Sequence, residues 1–420
     1  MAQYNDLSVL NGLTKTVYGS SVHQAVPDNV KEFFDMFPFV KNSERLGALF
    51  AESVNLSIEQ GFTRASGSAG VVTLNNSIAS VNKQATVDGT QIIGQVTASW
   101  DLVAKARQNG SAQSFKAALT DLVDNVLLSH RRQQVMDMLY GGTSLAIIGT
   151  GATSATQTIT NASCAAGIWY GSTNMLVDIW DPTLTTKRNA SPLSLTGYSV
   201  DASSSSRTLT FGASVTTTTN DVVVLSGTVA ANAYTTPPGL AIISGQTGGT
   251  LFGLSQVTYP VFQATQYAVS GALTLAQLDQ ATVLPMTRGY VGKINLLCNP
   301  RTFSNLMQEE VARVHFTSGN TSGTAKIGYN KMDVVGSNGN MISIIASPWI
   351  KEGEAYLVPD DGTVKRIGAV DIQLGGPADP QPNWRRIEGA TGYSLPTYSL
   401  QALFTPEPWK LVKLTNITNT

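Results

Sequence analysis

One periodic stretch constrains this chain more than any other. Phe115, Leu119, Leu122 and Val126, then Val135, Met138 and Leu139, recur at steps near three and four, the spacing of one helix face. Gly110-Ser111 supplies a start and Gly141-Gly142 a left-handed stop. The helix from Ser111 to Tyr140 is therefore expected to be a rod of about 45 Å at 1.5 Å per residue. A purely β chain has no need of it. His130, Arg131, Arg132 and Gln133 interrupt the apolar stripe, so that stretch is expected to face solvent or a partner.

The chain before the rod is extended. Residues 1–50 read as an arm, with Phe33, Phe34, Met36, Phe37 and Phe39 crowded between Pro27 and Gly47. Apolar groups that dense must be buried somewhere, and Pro38 limits any helix through them to about Asp28–Met36. Residues 51–100 alternate as strands do: Val54, Leu56 and Ile58 going out, Ile93 and Val96 coming back. Between them lies a Gly/Ser-rich segment whose basic groups are Arg64 and Lys83. The whole reads as a β-hairpin projecting roughly 50 Å.

Beyond the rod the pattern is mixed. Residues 143–267 carry short β-branched runs separated by turn clusters, the pattern of a small barrel or sandwich at about 165–228. Thr274–Met286 and Pro300–Val314 are amphipathic and flank the apolar run Lys293–Cys298, an α/β layer within 268–330. Strand patterns return over 331–420. The fold class is α+β.

Composition narrows the function classes. Charged residues make up 13% of the 420, against about 25% in an ordinary soluble domain. Thr, Ser, Asn, Gln and 38 Gly take their place, with 42% hydrophobic residues and a mean hydropathy of +0.02. A net charge of -1 excludes a strong grip on duplex nucleic acid, and the hydrophobic content excludes disorder. No apolar run approaches the roughly 18 residues of a membrane span, and the start lacks the features of a secretory signal, so folding in a cytoplasm is expected. Cys164 and Cys298 are expected to be buried small hydrophobes.

No catalytic, cofactor or metal constellation emerges. Gly149-Thr150-Gly151 lacks the third glycine of a dinucleotide loop. His23, His130 and His315 share no local spacing with Cys or carboxylates. Asp121/Asp124, Glu309/Glu310 and Asp360/Asp361 read as solvated surface rather than catalytic pairs. The compact basic clusters, His130–Arg132 and Arg385-Arg386, read as sources of intersubunit salt bridges, with a phosphate contact as the alternative. The chain is expected not to be an enzyme.

The order of elements resembles the major capsid protein of tailed bacteriophages, the Hong Kong 97-type capsid fold. Ile168–Ser172, Met175–Trp180, Thr196–Asp201, Arg207–Thr210 and Asp221–Val224 are similar to the small β-barrel insertion of such proteins. Leu251–Leu254 with Thr258-Tyr259-Pro260, Thr274-Leu275 and Asn299–Phe303 resemble their axial domain. Ala355–Val358, Trp384 and the final strand resemble their peripheral domain.

That resemblance implies a layout: an N-terminal arm at 1–50, an extended loop at 51–100, and the spine helix with the start of the peripheral domain at 101–142. The axial domain with its insertion then covers 143–267, its α/β layer 268–330, and the peripheral sheet 331–420. It implies a subunit that self-assembles into the pentamers and hexamers of an icosahedral head around double-stranded DNA, touched non-specifically. The virion is then its location, assembled in a bacterial cytoplasm with no membrane, and portal, scaffolding and decoration proteins are its partners. A scaffolding protein, if used, is expected to be separate, because no charged helical scaffolding segment is evident. Intersubunit contacts are expected at Phe33, Phe34, Phe37, Arg64, Lys83, Arg131, Arg132, Arg385 and Arg386. An encapsulin-like shell, or a virion fibre or tail protein, is the alternative.

Overall fold

The structure, a computed structural model, describes residues 30–42, 45–46, 49–58, 61–68, 70–75, 80–107, 112–200, 206–316, 331–336, 339–375 and 384–419. The arm before Val30, and the expected helix start at Gly110-Ser111, lie outside them. Helix Ala112–Tyr140 is present and ends as its glycines require: Gly142 takes φ 74°, and its amide donates to Thr236 Oγ1 at 3.0 Å.

The helix lies on a five-stranded sheet. Its centre is the 13-residue strand Gly392–Phe404, antiparallel to Lys365–Leu374 on one edge and to Thr90–Ser99 on the other. Phe39–Lys41 extends the sheet beyond Lys365–Leu374 in parallel, and Arg385–Arg386 adds a short pair. The stretch expected to face outward turns in instead. His130 is buried, its ring nitrogens 2.9 Å from Thr397 Oγ1 and 2.7 Å from Ser399 Oγ. Arg132 is buried on another side, donating to the carbonyls of Gly167 at 3.0 Å and Tyr170 at 2.7 Å. A polar residue with partners is as buriable as an apolar one, and the apolar period cannot register that; of the basic pair, only Arg131 is exposed.

The projecting hairpin pairs Leu49–Ile58 with Ser80–Asp88, from Leu49↔Asp88 to Ile58↔Ser80. This corrects the return strand expected through Ile93 and Val96. Those residues do alternate, but in Thr90–Ser99, whose partner lies some 300 positions away in the five-stranded sheet. Alternation identifies a face, not a partner.

Strands Ala146–Thr150, Thr153–Ile159, Leu176–Trp180, Leu193–Ser199, Arg207–Thr216 and Val222–Leu225 close into a barrel. It takes two strands from before residue 165, so its start is earlier than expected: Ile148 and Ile159 fill its interior alongside Ile179, Leu195 and Phe211. A six-stranded sheet runs Thr265–Gly271, Val412–Ile417, Ala355–Pro359, Ile294–Cys298, Met341–Ala346, Lys331–Val335. This corrects the single sheet expected over 331–420: Ala355–Pro359 and the final strand, with Lys331–Val335 and Met341–Ala346, pair into the α/β layer, and only Lys365–Leu374, Arg385–Arg386 and Gly392–Phe404 belong to the five-stranded sheet. Ile294–Cys298 is buried at every position, as its unbroken apolar run requires. Helix Leu275–Thr287 starts with a capping box: Thr274 Oγ1 accepts from the Gln277 amide, and Gln277 Oε1 accepts from the Thr274 amide.

The loop Ser347–Glu354 joins these bodies. Glu352 binds Arg207 of the barrel at 2.8 Å and Arg301 of helix Pro300–Phe316 at 3.0 Å. Tyr140, the last residue of the long helix, donates its hydroxyl proton to the Trp349 carbonyl at 2.9 Å. Arg132 stacks 4.9 Å from the Trp349 ring centroid. Lys351 donates to the Ser144 carbonyl at 2.7 Å and lies 4.4 Å over the Tyr140 ring.

Removing the carboxylate's charge takes the ion-pair partner from two guanidinium groups, one of them fully buried. Glu352→Gln is expected to destabilise by about 3–5 kcal/mol, and Arg207→Met by less, since Glu352 keeps Arg301; urea unfolding ranks the two. Burial pulls the Lys351 ammonium down to about 8, so between about pH 8 and the ordinary lysine range the unfolded chain binds more protons than the folded one. Stability from this group therefore rises with pH across that window, and Lys351→Met is expected to flatten the rise measured between pH 7.5 and 9.5.

Candidate assembly surface

The hairpin is packed at its base and bare at its tip. Phe50, Val54, Leu56, Ala85 and Val87 belong to the main apolar core. The Thr86 amide donates to the Phe252 carbonyl at 2.9 Å, and Gly253, at φ 77°, lets that turn approach: a Cβ there would meet Thr86 Oγ1 at 2.7 Å. Lys365 lies 3.6 Å from Glu52 at the same end. Toward the tip, Ser80 to Gln84 are exposed, although Val54 and Leu56 on the partner strand stay buried.

Beyond the ribbon the apolar residues have nothing to cover them. Phe62 is 63% exposed, Leu74 82%, and Val71 is fully exposed. These are strand-forming residues in an extended segment, tied mainly by Asn75, whose amide donates to Thr63 Oγ1 at 2.7 Å and whose side chain reaches the Gly61 carbonyl. Monomeric proteins seldom leave such groups together in water. Beyond its base, where Arg45–Leu46 adds a third strand, the ribbon is two-stranded, which is also marginal alone. Both features are satisfied by covering the tip with another surface. Composition alone does not single these residues out, because they are few and lie among Gly and Ser.

The residues expected at contacts separate into two groups. Phe33 and Phe37 are fully buried within their own chain, so they are core residues of the subunit. Phe34 is half-buried with the Arg366 guanidinium 4.6 Å over its ring. Arg132 is likewise consumed internally. Arg64, Lys83, Arg131, Arg385 and Arg386 are exposed: Lys83 sits opposite Val54 in the hairpin, and Arg386 lies 4.8 Å over Trp100. These five occupy three separate elements, the hairpin, the long helix and the strand at 385–386, and do not converge on one site.

The titratable groups are arranged for structure. Burial pushes the His130 imidazole down to about 4, which keeps it neutral between its two hydroxyl partners. Cys164 and Cys298 are free and buried, and burial raises both thiols, Cys164 to about 12. Among the described residues no three His, Cys, Asp or Glu side chains gather into a metal-holding group.

No protein-family model matches the sequence, and no curated protein does. Solved structures do. The capsid asymmetric unit of cyanophage A-1(L) matches with a TM-score of 0.55 at 11% identity, over 96% of this chain and 97% of that one. The fold is that of a capsid subunit. The capsid of the native GTA particle matches with a TM-score of 0.50 at 7% identity, over 95% of this chain and 94% of that chain. At these identities the likeness is one of fold, and it spans nearly the whole of both chains.

Because Phe62 and Leu74 are exposed in the isolated chain, Phe62→Ser with Leu74→Ser is expected to leave its melting temperature within about 1–2 °C. The same pair is expected to lower self-association, read by analytical ultracentrifugation across a concentration series. A drop of many degrees in melting temperature instead would mean that the tip packs on its own subunit.

Proposed function

We propose that this chain is the major capsid protein of a tailed bacteriophage, a subunit with the Hong Kong 97-type fold. It self-assembles into the hexamers and pentamers of an icosahedral head around packaged double-stranded DNA. The observation that carries this reading is the match over nearly the full length of both chains to the cyanophage capsid asymmetric unit. On this reading the six-stranded sheet and its helices form the axial domain, the five-stranded sheet the peripheral domain, helix Ala112–Tyr140 the spine, the barrel an insertion, and the hairpin the extended loop lying over a neighbour.

The mechanism is physical rather than chemical. A rigid body held by the Ser347–Glu354 loop meets its neighbours around five- and six-fold axes, and many weak contacts act together. Arg64, Lys83, Arg131, Arg385 and Arg386 are the exposed cations that such contacts would use. With a net charge of -1, the inner wall touches DNA non-specifically and without a tight grip. Portal, scaffolding and decoration proteins are the further partners of this reading, the virion its location and the bacterial cytoplasm its place of assembly.

Negative-stain microscopy of the expressed chain tests it. Hollow shells, or free hexamers and pentamers, are expected; filaments or monodisperse monomers overturn the reading. Replacing residues 59–79 with an Asn-Gly turn keeps the ladder from Leu49↔Asp88 to Ile58↔Ser80 and closes it with a two-residue loop. That variant is expected to fold with unchanged circular dichroism yet form no stable shells.

A further inference from the structure

Strand Thr90–Ser99 is hydrogen-bonded along one edge, to Gly392–Phe404, and among the described residues no strand pairs with its other edge. Along the Gly89–Gln95 half of the strand runs a groove of about 630 Å³, floored by the long helix and walled opposite by Ser226–Thr228 and Thr235–Thr236. Ile93, at the groove, is 66% exposed. An open strand edge beside a groove is the geometry that accepts an added extended segment, main chain to main chain.

The groove also holds one carboxyl without a charge partner. Asp137 is the sole Asp, Glu, Lys or Arg lining it, and burial alone pushes its carboxyl up to about 7. Arg366, the nearest guanidinium in the adjoining small cavity, is committed elsewhere: Nε to the Phe37 carbonyl at 2.7 Å, Nη1 to Asp371 at 2.9 Å and to Gln401 at 3.0 Å. His130, also at the groove, is neutral. A half-buried carboxylate without a counter-charge is a standing cost that an arriving cation relieves.

The hairpin tip supplies what the groove lacks. Gly61–Asn75 contains an unpaired, strand-prone run, Val71-Val72-Thr73-Leu74, and a single charge, Arg64. We propose that the tip of one copy docks in the Thr90–Ser99 groove of another, adding a strand to its open edge and placing Arg64 against Asp137. The contact must run between copies. The hairpin leaves the sheet at Gly89, the groove's own first residue, and the nine residues Ser80–Asp88 carry the tip about 30 Å away at 3.3 Å per residue. Two different patches meet, so the contact is head-to-tail and closes into rings when the rotation between copies allows. The proposal rests on the capsid reading and adds to it a receiving strand and a charge pair.

The test uses the full chain. Arg64→Glu places like charges together; Arg64 is exposed, so the unassembled subunit is expected to melt as before while particle yield falls about tenfold or more. Combining Arg64→Asp with Asp137→Arg is expected to restore yield. Because Asp137→Arg also enlarges a side chain on the long helix, a second measurement stands apart from charge: a benzophenone amino acid at position 93, irradiated in assembled particles, is expected to give dimers whose adducts map to residues 61–75. Normal particle yield from Arg64→Glu, or particles whose adducts map elsewhere, overturns this contact and leaves the capsid reading in place. Absence of particles from the unaltered chain overturns both.

Discussion

The carboxylate of Glu352 between Arg207 and Arg301 is the interaction on which the arrangement of this molecule depends. The barrel, the long helix, the five-stranded sheet and the six-stranded sheet share one apolar core, and the Ser347–Glu354 loop is where the barrel, the end of the long helix and the α/β layer meet. Buried ion pairs add little net stability but penalise every geometry that separates the partners. Here that penalty fixes orientation: Glu352 cannot satisfy both arginines unless the barrel and helix Pro300–Phe316 stand in one relation. Backbone bonds along the same loop, Gly167 to Pro348 at 2.8 Å and Gly353 to Ala162 at 2.9 Å, hold it in register.

Sequence signals are legible where neighbours along the chain decide the outcome. The apolar steps of the long helix, the Thr274 cap and the buried run Ile294–Cys298 each carry their own explanation within a few residues. Long-range pairing is not legible in the same way. The partner of Thr90–Ser99 is set by a strand near the other end of the chain, and the barrel's second strand, Thr153–Ile159, is a Thr-rich segment whose apolar interior residues are sparse. Glu352 carries no local signal because its arginines lie 145 and 51 positions away. His130 and Arg132 turn inward against expectation for the same reason: their partners come from elements that the apolar period does not describe.

The scarcity of charge has one visible counterpart. On the barrel's outer surface threonines face each other across strands, Thr153 with Thr216 and Thr156 with Thr210, their hydroxyls 3.0 Å apart. Such pairs stabilise a sheet and keep its face wettable without an ion. A β-rich surface dressed this way needs few lysines and glutamates, which accounts for part of the 13% charge without invoking burial by neighbours.

The hairpin is fixed at one end only. Its base is clamped by Phe50, Val87 and the Thr86–Phe252 bond, and Val54 and Leu56 keep one face of the first strand buried, while Ser80 to Gln84 of the second strand and the tip beyond stand in solvent. Mechanically that is a cantilever: a turn of about 10° at the base sweeps a tip about 30 Å away through about 5 Å. Positional tolerance at the far end is thus obtained from a very small deformation at the near end.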